Sequence, residues 1–214
     1  VIYYRLGDWA APFGIVVVGD RLSTMMVLLT SVLALFVLLY AIGSGWDTRG
    51  ANFHALFQFQ LMGIMGAFLT GDLFTLFVAF ELILVASYVL LTHQGREAQV
   101  RSGMTYVVIN LFASTLFLFG VAFVYASTGT VNLALLAQRI PELGEGVRWG
   151  IGLWFLVVFG TKAAMFPLFS WLPDSYPTAP TTITAIFAGL LTKIGVYSMV
   201  RFHTLTGMDD LGPV

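Results

Sequence analysis

Gly71-Asp-Leu-Phe-Thr-Leu-Phe-Val-Ala-Phe-Glu-Leu-Ile-Leu-Val-Ala-Ser-Tyr-Val-Leu-Leu91 is the stretch that decides the fold. Bounded by Asp72 and His93, it has the ~20 predominantly apolar residues that an α-helix needs to cross ~30 Å of hydrocarbon. Its one internal charge, Glu81, comes nine residues after Asp72 and twelve before His93. At ~1.5 Å rise per residue, that puts the carboxylate ~14 Å from the Asp72 end, close to the bilayer midplane. No ten-residue alternation of a membrane β-barrel runs through it. The stretch reads as a membrane-spanning helix with an acid at its centre.

Five more stretches read the same way: Leu22–Ile42, Phe53–Leu69, Met104–Ala126, Val147–Leu168 and Thr181–Phe202, with Leu73–Thr92 as the third of the six. Only Thr70-Gly71-Asp72 separates the second from the third, which demands a tight antiparallel hairpin. Residues 127–146 are too polar to cross; Val131–Ile140 is expected to lie in the interface as a short helix, followed by an exposed loop. Residues 1–21 and 204–214 are read as loops, and residues 53–203 as one five-helix unit preceded by a helix over 22–42. The expected fold is an all-α integral membrane protein, a transmembrane helical bundle. With no initial Met, no cleavable signal in residues 1–21 and a tail that stops at Asp209-Asp-Leu-Gly-Pro-Val214, the chain is expected to be a piece of a longer polypeptide.

Composition agrees. Of 214 residues, 58% are hydrophobic and 10% charged, against ~25% charged in soluble domains, and the mean hydropathy is +0.90. A net charge of −1 offers no basic field for nucleic acid. The absence of cysteine excludes a disulfide scaffold, thiolate metal sites, iron–sulfur clusters and thiol catalysis. No phosphate loop, dinucleotide fingerprint, zinc-protease or nucleophile-elbow motif occurs, so neither a cofactor nor a metal is expected.

The informative residues are ionisable groups at membrane depth. Eight of the ten basic residues are Arg, nearly all in loops or at span ends, while the only two lysines, Lys162 and Lys193, fall inside spans. Lys193 lies eight residues before Arg201, too deep for its stem to reach the interface comfortably. One such charge costs about 2.5–3.5 kcal/mol on insertion scales, and intramembrane ionisable groups mark ion or proton pathways by default. Glu81, Lys162 and Lys193 are therefore the candidate proton relay. The alternatives are a static salt bridge of Glu81 with either lysine, or lysines that snorkel to the lipid edge. Pro167 cannot donate to the carbonyl of Ala163 and its ring clashes there, so a break is expected just after Lys162. Such a break is either the freed backbone of an ion site or an ordinary span end before Pro173, Pro177 and Pro180. His54 and His93 are expected to be solvated at span ends. His203, next to the end of the sixth span, is placed to pass a proton to water. The arginine count around the loops orients the chain only weakly.

On these residues the sequence resembles the antiporter-like subunits shared by respiratory complex I and multisubunit Mrp cation/proton antiporters. Phe80-Glu81 within the opening stretch is similar to the family's fifth helix. Phe159-Gly-Thr-Lys-Ala-Ala-Met-Phe-Pro-Leu-Phe-Ser-Trp-Leu-Pro-Asp-Ser-Tyr-Pro-Thr-Ala-Pro-Thr181 resembles its broken seventh helix, and Ala188-Gly-Leu-Leu-Thr-Lys-Ile-Gly-Val-Tyr197 its eighth. Gly71-Asp-Leu-Phe and Gly189-Leu-Leu-Thr-Lys-Ile-Gly-Val-Tyr look most like the D-type components of Mrp antiporters. The resemblance implies a fourteen-helix subunit with two inverted five-helix repeats, of which this sequence holds helices four to eight and the preceding helix. It implies a Glu81–Lys162–Lys193 proton relay and a cytoplasmic His93–Arg101 loop. It implies partner subunits in a bacterial cell-membrane complex that exchanges protons for a monovalent cation such as Na⁺. The alternative functions are a proton-pumping membrane-arm subunit of NADH–quinone oxidoreductase and a purely structural membrane scaffold.

Overall fold

The computed structural model describes residues 1–49 and 52–207. The end of the loop read over 204–214 lies outside them. The first departure from expectation is at the start. Residues 1–21, read as a loop, hold an antiparallel ribbon of β1 (Ile2–Arg5) and β2 (Val16–Gly19), with Ile2 opposite Gly19 and Arg5 opposite Val16. Ile2-Tyr-Tyr and Val16-Val-Val are β-branched and aromatic residues that favour a pleated surface. Without a run of alternation, hydropathy alone does not show them.

Helix α1 (Arg21–Gly43) begins at an Asp20–Ser23 capping box: Asp20 Oδ1 accepts from Ser23 N at 2.8 Å, and Ser23 Oγ accepts from Asp20 N at 2.8 Å. The other oxygen of Asp20 pairs with Arg201, whose guanidinium also lies 5.5 Å from the Tyr197 ring. Burial, the largest influence on Asp20, pushes its pKa up, but the Ser23 backbone bond and the Arg201 charge together hold it below the ordinary 3.8.

Helices α2 (Phe53–Leu69) and α3 (Leu73–Thr92) form the expected hairpin. Its turn is stitched on both sides: Gly71 N donates to Val16 O (2.8 Å), Leu133 N to Gly71 O (2.9 Å) and Leu73 N to Val131 O (2.9 Å). Asp72 caps α3 by accepting from Thr75 N at 2.7 Å, and desolvation by burial raises its pKa above 3.8. Helix α4 (Glu97–Thr128) has 32 residues, ~48 Å at 1.5 Å per residue. It starts before the expected Met104 because the polar turns from Glu97 to Ser102 continue the same helix outside the hydrocarbon. The interfacial segment is α5 (Leu133–Arg139), followed by a 3₁₀ turn over Ile140–Glu142.

The fifth expected span is corrected. Helix α6 (Glu145–Lys162) ends at Lys162 and does not run to Leu168. The short α7 (Trp171–Ser175) follows. The last rod comprises α8 (Thr181–Ile186), a π turn over Phe187–Leu191, and α9 (Thr192–Leu205). Among the described residues four helices are long and apolar enough to cross a membrane: Arg21–Gly43, Leu73–Thr92, Glu97–Thr128 and Thr181–Leu205. Phe53–Leu69 has 17 residues and α6 has 18 with charges at both ends, so the six expected spans are not equally long.

Packing runs α1 on α2, α2 on α3, α3 on α4, α4 on α6 and α6 on α9. Phe117, Phe155, Phe159 and Phe80 meet at the centre, with Phe117–Phe159 centroids 5.3 Å apart and Phe155–Phe202 at 4.5 Å. Large apolar side chains such as Leu28, Phe36, Val85 and Phe119 remain on the outside, as expected where lipid or further helices are the solvent.

Gly195 sets the closest helix approach. A Cβ there would lie 2.5 Å from Ala163 N and 2.8 Å from the Lys162 carbonyl carbon, so only Gly lets α9 lie against the end of α6. Gly195→Ala should therefore lower stability by about 1–3 kcal/mol, the usual cost of overpacking, readable as a lower Tm of the purified protein. Asp20→Ala should cost about 1 kcal/mol through the lost cap. Because the folded-state pKa of Asp20 is depressed, the wild-type contribution is present at neutral pH and disappears only as pH falls below 3.8. Measured by unfolding, the stability gap between wild type and variant should thus be full at pH 7 and narrow as the pH falls below 3.8 toward the depressed folded-state pKa.

Candidate functional site

Lys162 is the last residue of α6, and the chain closes the helix immediately behind it. Met165 N donates to Gly160 O (2.9 Å) and Ala164 N to Thr161 O (3.2 Å). With Ala164 at φ +54°, this is a Schellman stop built on alanine where glycine is usual. Left-handed backbone costs an alanine about 1–2 kcal/mol. Thr161 O also accepts from the indole of buried Trp171 at 2.9 Å. The break falls where Pro167 implied it would, and Ala164 is the residue that takes the left-handed turn. Pro167 lies three residues further on, in the connection to α7, where it keeps the chain from resuming the helix.

The Lys162 side chain points into the bundle and is 6% exposed. Its Nζ donates to Ser114 Oγ (2.9 Å) and to Asn110 O (3.1 Å), and stands 5.5 Å from the centre of the Phe80 ring. Asn110 and Ser114 are one turn apart on α4 and face the same way. An ammonium has three N–H donors, so two are taken by neutral acceptors. Beside it is a cavity of about 20 Å³, measured as space for the centre of a water molecule, lined by Phe80, Tyr106, Asn110, Lys162, Trp171 and Ile194 among others. That is enough for one water. The hydroxyl of Tyr106 is 2.6 Å from Ser87 Oγ, which donates to Leu84 O at 3.0 Å. The single Ser87 proton is thereby committed, and Tyr106 is the donor of the pair.

Glu81 is half-buried on α3, one residue from Phe80, with a buried Oε1 that has no hydrogen-bond partner. The static salt bridge with either lysine, weighed above as an alternative, is not formed among the described residues. Among the described residues the ion pairs are His54–Asp47 (3.4 Å) and Arg201–Asp20. Glu81 follows Phe80, whose ring centre lies 5.5 Å from Lys162 Nζ, but Ser114 and Asn110 hold the lysine instead. Lys193 is not at the same centre. It stands at an exposed position on the rod and donates to Ala188 O inside the π turn. π turns recur at functional sites. Its depth along the span is as expected; the face it occupies was not readable from hydropathy.

His203 sits between two carbonyls, with Nδ1 2.8 Å from Met199 O and Nε2 3.1 Å from Gly152 O. His54 is exposed as expected, but His93 is not solvated as its position at a span end implied: its Nε2 is buried, and its ring packs 5.9 Å from that of Trp46. Sequence reasoning missed Asn110, Ser114, Tyr106 and Trp171. The available signal was the i, i+4 pair of Asn110 and Ser114 in an otherwise apolar run. Among the described residues no group of three His, Asp or Glu side chains is placed to hold a metal ion.

Known proteins are similar to this architecture. The D-type component of a sodium/proton antiporter from Alkalihalophilus pseudofirmus is 49% identical over 97% of this chain. The D-type component of a probable potassium/proton antiporter from Rhizobium meliloti is 46% identical over 94% of it. The chain spans 43% and 38% of those two relatives' lengths. Among solved structures, the Mrp complex from Dietzia sp. DQ12-45-1b superposes with a TM-score of 0.89 at 33% identity, covering 98% of this chain and 40% of the other. The profile of a family described as "NADH:quinone oxidoreductase/Mrp antiporter, TM" matches residues 70–210, the part that carries Glu81, Lys162 and Lys193. This chain is thus a multi-pass membrane protein that belongs to the NADH:quinone oxidoreductase/Mrp antiporter family.

Proposed function

We propose that the chain is part of a membrane subunit of a multisubunit monovalent cation/proton antiporter, and that residues 53–203 form the five-helix unit that carries its protons. Other subunits are its partners, protons and a monovalent cation such as Na⁺ or K⁺ its substrates, and a bacterial cell membrane its place. The observation that carries this reading is Lys162: a buried ammonium at a broken helix, held by two neutral acceptors beside space for one water, with the carboxylate of Glu81 near but not in contact. A static staple would close the ion pair. Here the pair is open.

The steps follow from the geometry. With both groups ionised, Glu81 attracts Lys162 through a low-dielectric interior where a charge pair is worth far more than at a surface. A proton arriving on Glu81 removes that attraction, and the two groups titrate as one coupled system. Lys162 then gives its proton to the cavity water, or leans past the helix stop at Ala163–Ala164 toward the rod that carries Lys193. Ser114 and Asn110 hold the ammonium in place until that moment. Pro167 keeps the segment beyond the break from refolding into helix.

Two substitutions test it. Glu81→Gln keeps shape and hydrogen bonding but cannot be charged; proton flux in vesicles containing the assembled complex should fall to background. Wild-type flux in that variant would end the relay. Lys162→Arg retains the charge, but arginine stays protonated in proteins; its flux should also fall to background with assembly intact. Normal transport by the arginine variant would reduce Lys162 to a fixed charge.

A further inference from the structure

His203 has both ring nitrogens on backbone carbonyls, Met199 O of its own helix at 2.8 Å and Gly152 O of α6 at 3.1 Å. Carbonyl oxygens only accept. A neutral imidazole has one N–H, so either tautomer would turn a lone pair toward one of these oxygens. Only the imidazolium, with two N–H groups, satisfies both contacts, and hydrogen bonds from a charged donor are roughly twice as strong as neutral ones.

The bond to Gly152 crosses between helices, and its place matters. Helices α6 and α9 run antiparallel and touch closely at three points: Gly195 against Lys162–Ala163, the ring of Phe202 against that of Phe155 at 4.5 Å, and His203 against Gly152, the one polar bond of the three. Lys162 comes ten residues after Gly152 and Lys193 ten before His203, ~15 Å along each helix. We propose that His203 is a positioning residue: as an imidazolium it clasps α9 to α6, fixing the register of Lys193 against Lys162, and on losing its proton it releases that end. This replaces an exit to water as the role of His203, since both nitrogens face carbonyl oxygens. Only the consequence for transport rests on the relay proposed above; the clasp does not.

The charged groups on the elements around it are few. Arg201 on α9 is engaged with Asp20. Arg139 on α5 donates to Thr128 O. Glu145 and Arg148 lie in the first turns of α6, before Gly152, and Lys162 and Lys193 are at the far ends of the two helices. On α4, Glu97 and Arg101 lie in the first turns of the helix; on α2, His54 pairs with Asp47. Among the described residues none of these forms an ion pair with His203, so the two carbonyls are its direct polar partners.

The test uses the full-length chain in its assembled complex. Hydrogen–deuterium exchange is followed in peptides covering residues 148–158 and 196–206 at pH 6 and pH 9, corrected for the intrinsic base-catalysed rate. The loss of one charge-assisted bond should speed wild-type exchange about tenfold between the two pH values. His203→Asn should exchange at the fast rate at both, and His203→Arg, always charged with donors for both carbonyls, at the slow rate at both. Exchange in wild type that does not change with pH, or a His203→Asn variant that keeps the wild-type pH dependence, would overturn the clasp. Proton flux measured alongside should fall between pH 6 and pH 9 in wild type and not in His203→Arg; the same pH dependence in both despite protected exchange in the variant would overturn the positioning role alone. Glu81→Gln should leave the exchange pattern as in wild type, so a failed relay and a failed clasp give different results.

Discussion

A cation kept out of water has to find its solvation inside the protein, and the arrangement around Lys162 follows from that requirement. An ion pair with Glu81 would neutralise the charge and fix it there. The fold instead offers neutral oxygens, one from the Ser114 hydroxyl and one from the Asn110 backbone, with the face of Phe80 beneath. Dipoles of this kind compensate desolvation without cancelling the charge. The ammonium remains responsive to a carboxylate a short distance away, which a closed salt bridge would not be.

The same requirement governs the backbone. Ending a helix inside a membrane leaves carbonyls that no lipid can satisfy. The stop after Lys162 meets this with a closed pair of backbone bonds and the Trp171 indole on Thr161 O. Trp171 also packs its ring 5.4 Å from that of Tyr106, which lines the cavity beside the lysine. The group that repairs the broken backbone is therefore also a wall of the ionisable site. Gly195 completes the junction from the other side, because a side chain there would collide with the backbone of the stop itself.

Hydropathy made the α2–α3 hairpin legible almost to the residue: Phe53–Leu69 and Leu73–Thr92 stand as read, with the turn at Gly71. Apolar length is enforced by the bilayer, so it is written into composition. The β1–β2 ribbon and the early start of α4 were not legible, since neither lies where lipid imposes a pattern. At the site, depth along a span can be counted from sequence, and Glu81, Lys162 and Lys193 were placed by counting. Azimuth cannot be counted when a helix is apolar all round. Hence the open Glu81–Lys162 pair, the exposed face of Lys193 and the neutral partners of Lys162 emerge only from three dimensions. Pro167 illustrates the middle case: the break was legible, while the residue that takes the left-handed turn, Ala164, carries no sequence signal of a helix stop.

These placements bear on how charge could move between the two lysines. Lys162 faces the centre of the bundle, whereas Lys193 sits on the outer side of a rod whose own backbone is loosened by the π turn at Phe187–Leu191. Both lysines thus occupy local interruptions of helical hydrogen bonding, one a stop and one a widening. In each, the side chain or its neighbours use backbone groups that a regular helix would keep engaged. The irregular backbone serves the two lysines differently: the π turn supplies Lys193 with its acceptor, Ala188 O, whereas the acceptors of Lys162 come from α4 and the stop leaves that lysine at its helix end beside the water-sized cavity.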